Sequence, residues 1–165
     1  MTTTDTPTVS DLPTLIGDLV RRIANLGTGP QAELRRLRPD ADDRWRSPIF
    51  YQLYALITPD GDRGEEHQRR WAMLLSGMVT IEHSRRSSLG RVLAESGFAE
   101  IRLVRLLDAD PALLGDHLRT TVAFLAAKGA EADWCDLARL VLSCGGDEHD
   151  AVRRRIAQSY YRFLA

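Results

Sequence analysis

The side chains that could do chemistry in this sequence are dispersed. The four histidines, His67, His83, His117 and His149, stand singly along the chain. None forms the i, i+4 pair or the Cys-His cluster from which a zinc site is built. His149 is followed by Asp150, but a metal held by such a pair needs further His and Asp ligands from other helices. No convincing set is present, so the pair reads as the start of a helix. Asp40-Ala41-Asp42-Asp43 lacks the glycine and closing glutamate of a calcium loop. The glycines occur singly or as Gly145-Gly146, without the spacing that cradles nucleotide phosphates. Ser87, Ser88, Cys135 and Cys144 have no identifiable base and orienter. The expectation is a protein without catalytic residues, metal or cofactor, and therefore not an enzyme.

Arginine is what remains. Of the 22 basic residues only Lys128 is lysine, a bias that suits bidentate phosphate contacts and that a GC-rich genome would also produce. The formal net charge is −1, yet a local patch, not the total, decides whether a polyanion binds. Between Arg69 and Arg105 arginines exceed acids by four, and between Asp108 and Asp150 acids exceed bases by six. Arg35, Arg36 and Arg38 surround Leu34 and Leu37, so with the leucines inward at least two guanidinium groups reach solvent. Arg85, Arg86 and Arg91 flank a serine-bearing corner. Arg102 and Arg105 lie three apart on one helical face. The plain alternative for any one of them is a salt bridge to a nearby acid such as Glu100 or Asp108. For Arg153-Arg154-Arg155 that alternative, neutralising the acidic flank, weighs at least as much as binding. Trp71, Trp134, Phe50, Tyr51 and Tyr54 fall in apolar stripes and are assigned to packing.

The elements carrying these arginines are helical nearly everywhere. Asp11 can cap a first helix whose stripe is Leu12, Leu15, Ile16, Leu19, Ile23 and Leu26, ended by Gly27-Thr28-Gly29-Pro30. A short helix covers 31–37. Ser47 and Pro48 open a helix over 49–57, and Pro59-Asp60-Gly61-Asp62 turns the chain. Further helices are expected over about 65–82, 89–95, 98–107, 110–127, 133–143 and 147–163, with a loose, solvent-facing corner at 83–88 and a hinge at Ser96-Gly97. The result is an all-α, compact bundle of about eight helices after a disordered tail at 1–10. At 165 residues the chain suits one domain. Residues 1–8 lack the basic start and apolar run of a secretory signal, and no stretch approaches the ~20 apolar residues of a membrane span, so neither export nor membrane insertion is expected. Two cysteines fit a reducing compartment, which places the protein in the cytoplasm and away from membranes.

The ordered motifs resemble the CasB family, the small subunit of the type I-E CRISPR-associated Cascade complex. The pieces are Gln31-Ala32-Glu33-Leu34-Arg35-Arg36-Leu37, Pro48-Ile49-Phe50-Tyr51-Gln52-Leu53, Ser88-Leu89-Gly90-Arg91-Val92-Leu93-Ala94, Glu100-Ile101-Arg102-Leu103-Val104-Arg105-Leu106-Leu107, Asp133-Trp134-Cys135-Asp136-Leu137-Ala138-Arg139-Leu140, and the closing Tyr160-Tyr161. The resemblance implies a two-lobed helical bundle, with lobes over about 11–83 and 88–165. It implies partnership with other Cascade subunits, crRNA, target DNA and a second copy of the chain. It also implies a non-catalytic role in antiviral defence, stabilising the R-loop through backbone contacts without sequence preference. The positions it carries over are Arg35, Arg36, Arg63, Arg91, Arg102, Arg105, Arg119 and Arg139, with Arg36 and Arg63 foremost. The rival reading is a helical protein-interaction adaptor with no nucleic-acid role.

Overall fold

The computed structural model describes residues 11–38 and 44–164. The tail at 1–10 and the loop around Asp40, Asp42 and Asp43 lie outside the described residues. Nine α-helices are present among those described: α1 Leu12–Ala24, α2 Thr28–Arg35, α3 Pro48–Ile57, α4 Glu65–Met78, α5 Leu89–Glu95, α6 Glu100–Asp108, α7 Leu114–Ala127, α8 Trp134–Ser143 and α9 His149–Phe163. A 3-10 turn, Arg44–Arg46, precedes α3.

Local chemistry explains most boundaries. Ser47 Oγ accepts from Phe50 N at 3.3 Å, Ser88 Oγ from Arg91 N at 3.4 Å, and an Asp133 carboxylate oxygen from Cys135 N at 2.9 Å, each satisfying an otherwise orphaned helix N–H. Asp11 does not cap α1 with its side chain; its backbone is already helical, and its carbonyl accepts from Leu15 N at 3.0 Å. Helix α2 starts three residues earlier than expected. Pro30 lies inside its first turn, where a missing N–H costs nothing, and so does not act as a stop. Helix α4 ends at Met78, where Thr80 N and Ile81 N both turn back to the Gly77 carbonyl. Gly97, with φ of +79°, provides the bend between α5 and α6.

Helix α4 packs on α2, α3, α7 and α8, while α1 lies on α8 and α5 lies along α9. One continuous core runs through them from Ile16 to Tyr160. The corner after α4 is not loose. His83 bridges Ala132 in parallel fashion, Ser84 N donates to Ala132 O at 2.9 Å, and Ala132 N donates to Glu82 O at 3.0 Å. Only Arg85, Arg86 and Ser88 in this corner are exposed; His83, Ser84 and Ser87 are half-buried.

Candidate nucleic-acid interface

Of the eight expected arginines, Arg35, Arg102, Arg105 and Arg119 are exposed on helices, and the fold separates those that are free from those that are committed. Arg35 ends α2 and donates to Val79 O at 3.4 Å. Together with Arg119 of α7 it borders a cleft of about 160 Å³, floored by Met73 and Gly77 of α4 and by Leu118 and Val122 of α7. Two arginines that are 84 positions apart in sequence thus share one opening. Arg36 follows as the C-cap residue of α2, exposed to solvent, and Arg38 is also exposed.

Arg102 and Arg105 stand exposed on α6. The two acids expected to neutralise them have other partners: Glu100 accepts from the Tyr161 hydroxyl at 2.8 Å, and Asp108 lies 3.9 Å from Arg153. Among the described residues Arg36, Arg102, Arg105 and Arg119 have no ion-pair partner, so their charge is available to an anion from outside.

Arg63 belongs to a loop held by a buried phenol. The Tyr54 hydroxyl donates to Asp62 at 3.0 Å, lies 2.8 Å from His67 Nδ1, and receives the Arg63 backbone N–H at 3.5 Å. With the phenol proton directed at Asp62, His67 carries its proton on Nδ1 and donates it to the phenol oxygen. Burial pushes the phenol up to about 12. Asp62 also accepts from Gln68 and Gly64 N, and these bonds hold its carboxyl below the usual range. Burial first, and then the Arg63 charge, depresses His67. The Arg63 side chain itself is exposed.

Arg91 and Arg139 are engaged. Arg91 pairs with Glu95 at 2.8 Å and lies 4.6 Å above the Phe163 ring. Arg139 is half-buried and 3.5 Å from Asp136, whose second oxygen accepts from Leu89 N at 2.9 Å. Burial raises Asp136 despite that bond. Of the terminal triplet, Arg153 is structural: it donates to Leu107 O at 3.3 Å and pairs with Asp150, tying α9 to the end of α6. Arg154 donates to Asp150 O at 3.3 Å, whereas Arg155 is exposed. In the basic middle of the sequence, Arg70 is spent on Glu66 and on the carbonyls of Val141 and Leu142 at 2.9 and 3.2 Å.

The fold also assembles a group that the sequence separates. Donor atoms of His83, Asp133 and Cys135 lie within 4.8 Å of one another, contrary to the expectation of no Cys-His cluster. These donors already serve the start of α8. His83 Nδ1 accepts from Trp134 N at 3.1 Å, and an Asp133 oxygen accepts from Cys135 N. The His83 ring nitrogen lone pair is thereby used, since the other nitrogen of a neutral ring carries its proton. Burial pushes the Cys135 thiol up to about 11, and Arg85 and Arg139 are near enough for their charges to act on it. A cation would have to break a helix cap and face two guanidinium groups, so the cluster reads as structural.

One feature of the surface escapes helical periodicity. Trp45 is 67% exposed on the 3-10 turn, with the Arg46 guanidinium 4.9 Å from its ring. Its only signal in the sequence is the bracketing by Arg44 and Arg46 outside any apolar stripe.

Comparison with known proteins follows the same lines. The model of a family described as CRISPR-associated protein Cse2 matches residues 31–161. No curated protein matches by sequence. Among solved structures, a chain of Escherichia coli Cascade bound to a PAM-containing double-stranded DNA target is similar, with 27% identity, a TM-score of 0.67, and coverage of 88% of this chain and 96% of that one. CasB from Thermus thermophilus shares the fold at 22% identity and a TM-score of 0.72, covering 94% and 98% of the two chains. CasB from M. ruber does so at 22% identity and a TM-score of 0.72, covering 89% and 92%.

Proposed function

The chain belongs to the CRISPR-associated Cse2 family, and on that premise we propose that it is the non-catalytic small subunit of a type I-E, crRNA-guided Cascade surveillance complex. Its partners there are the other Cascade subunits, the crRNA and the target DNA, and we extend them to a second copy of this chain. The observation that carries the reading is the family match over residues 31–161, which takes in the five helices bearing the candidate arginines and the Arg63 loop.

In such a complex base pairing with the guide reads sequence, and the protein contributes backbone contacts that tip a near-balanced strand exchange. The unpaired arginines suit that task. Arg36, Arg63, Arg102, Arg105 and Arg119, with Arg35 at the cleft edge, are the phosphate contacts. Arg91 and Arg139 complete the set from positions where each is also bound to a carboxylate, and so they shape the surface as well as charge it. We divide the chain into lobes of about 11–83 and about 88–165, joined through the corner after α4 and sharing the core that α1 and α4 form with α7 and α8. No helix is long and apolar enough to cross a membrane among the described residues, which is in keeping with work on nucleic acid in the cytoplasm.

A second use is favoured for one face alone. Ile101 and Val104 are 59% and 41% exposed beside Arg102 and Arg105 on α6, and an apolar pair among cations suits a protein surface as well as a phosphate chain. The test is gentle, low-salt purification of the tagged chain from its host. Recovery of an RNA of uniform length with larger protein subunits supports the surveillance role. An RNA-free protein of its own size transfers the reading to a protein-interaction adaptor.

A further inference from the structure

Trp45 is the exposed one of three tryptophans; Trp71 and Trp134 are 2% and 0% exposed. A single exposed apolar side chain means nothing by itself. Trp45 differs because the turn beneath it is built to hold it there. Arg44 is buried at 5% exposure and paired with Glu65 at the start of α4. Ser47 N donates to Arg44 O at 2.8 Å, and Ser47 Oγ caps α3. The anchors lie on both sides of Trp45, so the backbone that carries the ring is ordered before anything binds. Arg46 lies over the ring and has no carboxylate partner among the described residues.

We propose that Trp45 and Arg46 form a stacking site for an unpaired nucleobase of the displaced DNA strand, the indole receiving the base and the guanidinium its phosphate. This rests on the nucleic-acid reading above and adds to it a contact of a different kind, to a base face and not to the backbone. An aromatic platform beside a cation is how single strands are held without regard to sequence, because every base has a π-face. Pairing of a guide RNA with one strand of a duplex necessarily frees the other, so the ligand is supplied by the reaction itself.

The test uses the assembled complex carrying Trp45→Ala, Trp45→Phe or Arg36→Ala, with 5-iodouracil placed along either DNA strand for photo-crosslinking. The expected result is a crosslink from the displaced strand to the peptide containing Trp45. Trp45→Ala should weaken target affinity about tenfold, as loss of one stacked base does, with Trp45→Phe near wild type and thermal unfolding unchanged. A crosslink from the target strand alone, or no crosslink from the wild-type complex together with wild-type affinity in Trp45→Ala while Arg36→Ala still weakens binding, overturns the stacking site and leaves the nucleic-acid reading standing. Loss of assembly with Trp45→Ala overturns it in favour of a subunit contact. Wild-type affinity in both Trp45→Ala and Arg36→Ala sinks the underlying reading as well.

Discussion

Gly77 of α4 meets the Cη2 edge of the Trp134 indole on α8, so close that a Cβ there would overlap Cη2 and lie 3.1 Å from Cζ3. Trp134 is fully buried and donates its Nε1–H to Ile81 O at 3.1 Å. One glycine therefore sets the distance between α4 and α8. Gly77→Ala should destabilise by ~1–3 kcal/mol through overpacking, and Trp134→Ala by ~3–5 kcal/mol through the cavity it leaves. Chemical denaturation of the purified chain measures both, and a neutral Gly77→Ala would show that the two helices separate freely.

Gly90 plays the same part between α5 and α9. A Cβ would overlap the Ile156 carbonyl oxygen and lie 2.7 Å from Tyr160 N, and backbone cannot swing aside as a side chain can. Gly90→Ala should therefore cost more than Gly77→Ala. Nearby, the buried Tyr160 hydroxyl donates to Phe98 O at 2.5 Å. Tyr160→Phe leaves that carbonyl without its partner and should cost ~1–3 kcal/mol.

The free and committed arginines should part company in experiment. Neutralising Arg36, Arg102, Arg105 or Arg119 should leave thermal stability unchanged and weaken DNA binding by the assembled complex. The salt slope of log K should fall by ~0.7–0.9 for each phosphate that the variant no longer neutralises. Arg70→Ala should do the reverse, lowering stability because the Val141 and Leu142 carbonyls lose a charged donor. Equal salt slopes for wild type and all four neutral variants would remove these positions from the interface.

That division marks the limit of what the sequence discloses. Apolar stripes such as Trp71, Leu74, Leu75 and Met78 are local, so helix α4 was legible, as were the Ser47 and Asp133 caps. Whether an arginine is free depends on which acceptors the fold brings to it. Arg91 meets Glu95 one turn on, within reach of helical reasoning, but the acceptors of Arg70 lie more than seventy residues away. The same holds for Glu100, which is drawn off by Tyr161 and so leaves Arg102 and Arg105 unpaired. The meeting of His83 with Asp133 and Cys135 is likewise tertiary, created by the bridge to Ala132. Trp45 had no periodic stripe to mark it.

Acid should loosen the loop that presents Arg63. The folded-state affinity of His67 for a proton lies below its ordinary value of 6.5, chiefly because burial disfavours the imidazolium. Protons therefore bind the unfolded chain more tightly, and the stabilisation is complete above about pH 6.5 and declines as pH falls below it. His149, also depressed by burial and then by Arg153, acts in the same direction at the start of α9. Asp62 is held below the carboxylate range by its hydrogen bonds, and its contribution is lost only at lower pH, as the carboxyl protonates. Two stages follow: the first is centred below pH 6.5 and reduced in His67→Gln, and the second lies in the carboxylate range and is reduced in Asp62→Asn. Amide exchange across residues 58–67 as a function of pH follows them. A profile flat from pH 7 to 5 in the wild type would show that the Tyr54, Asp62 and His67 network does not hold the Arg63 loop.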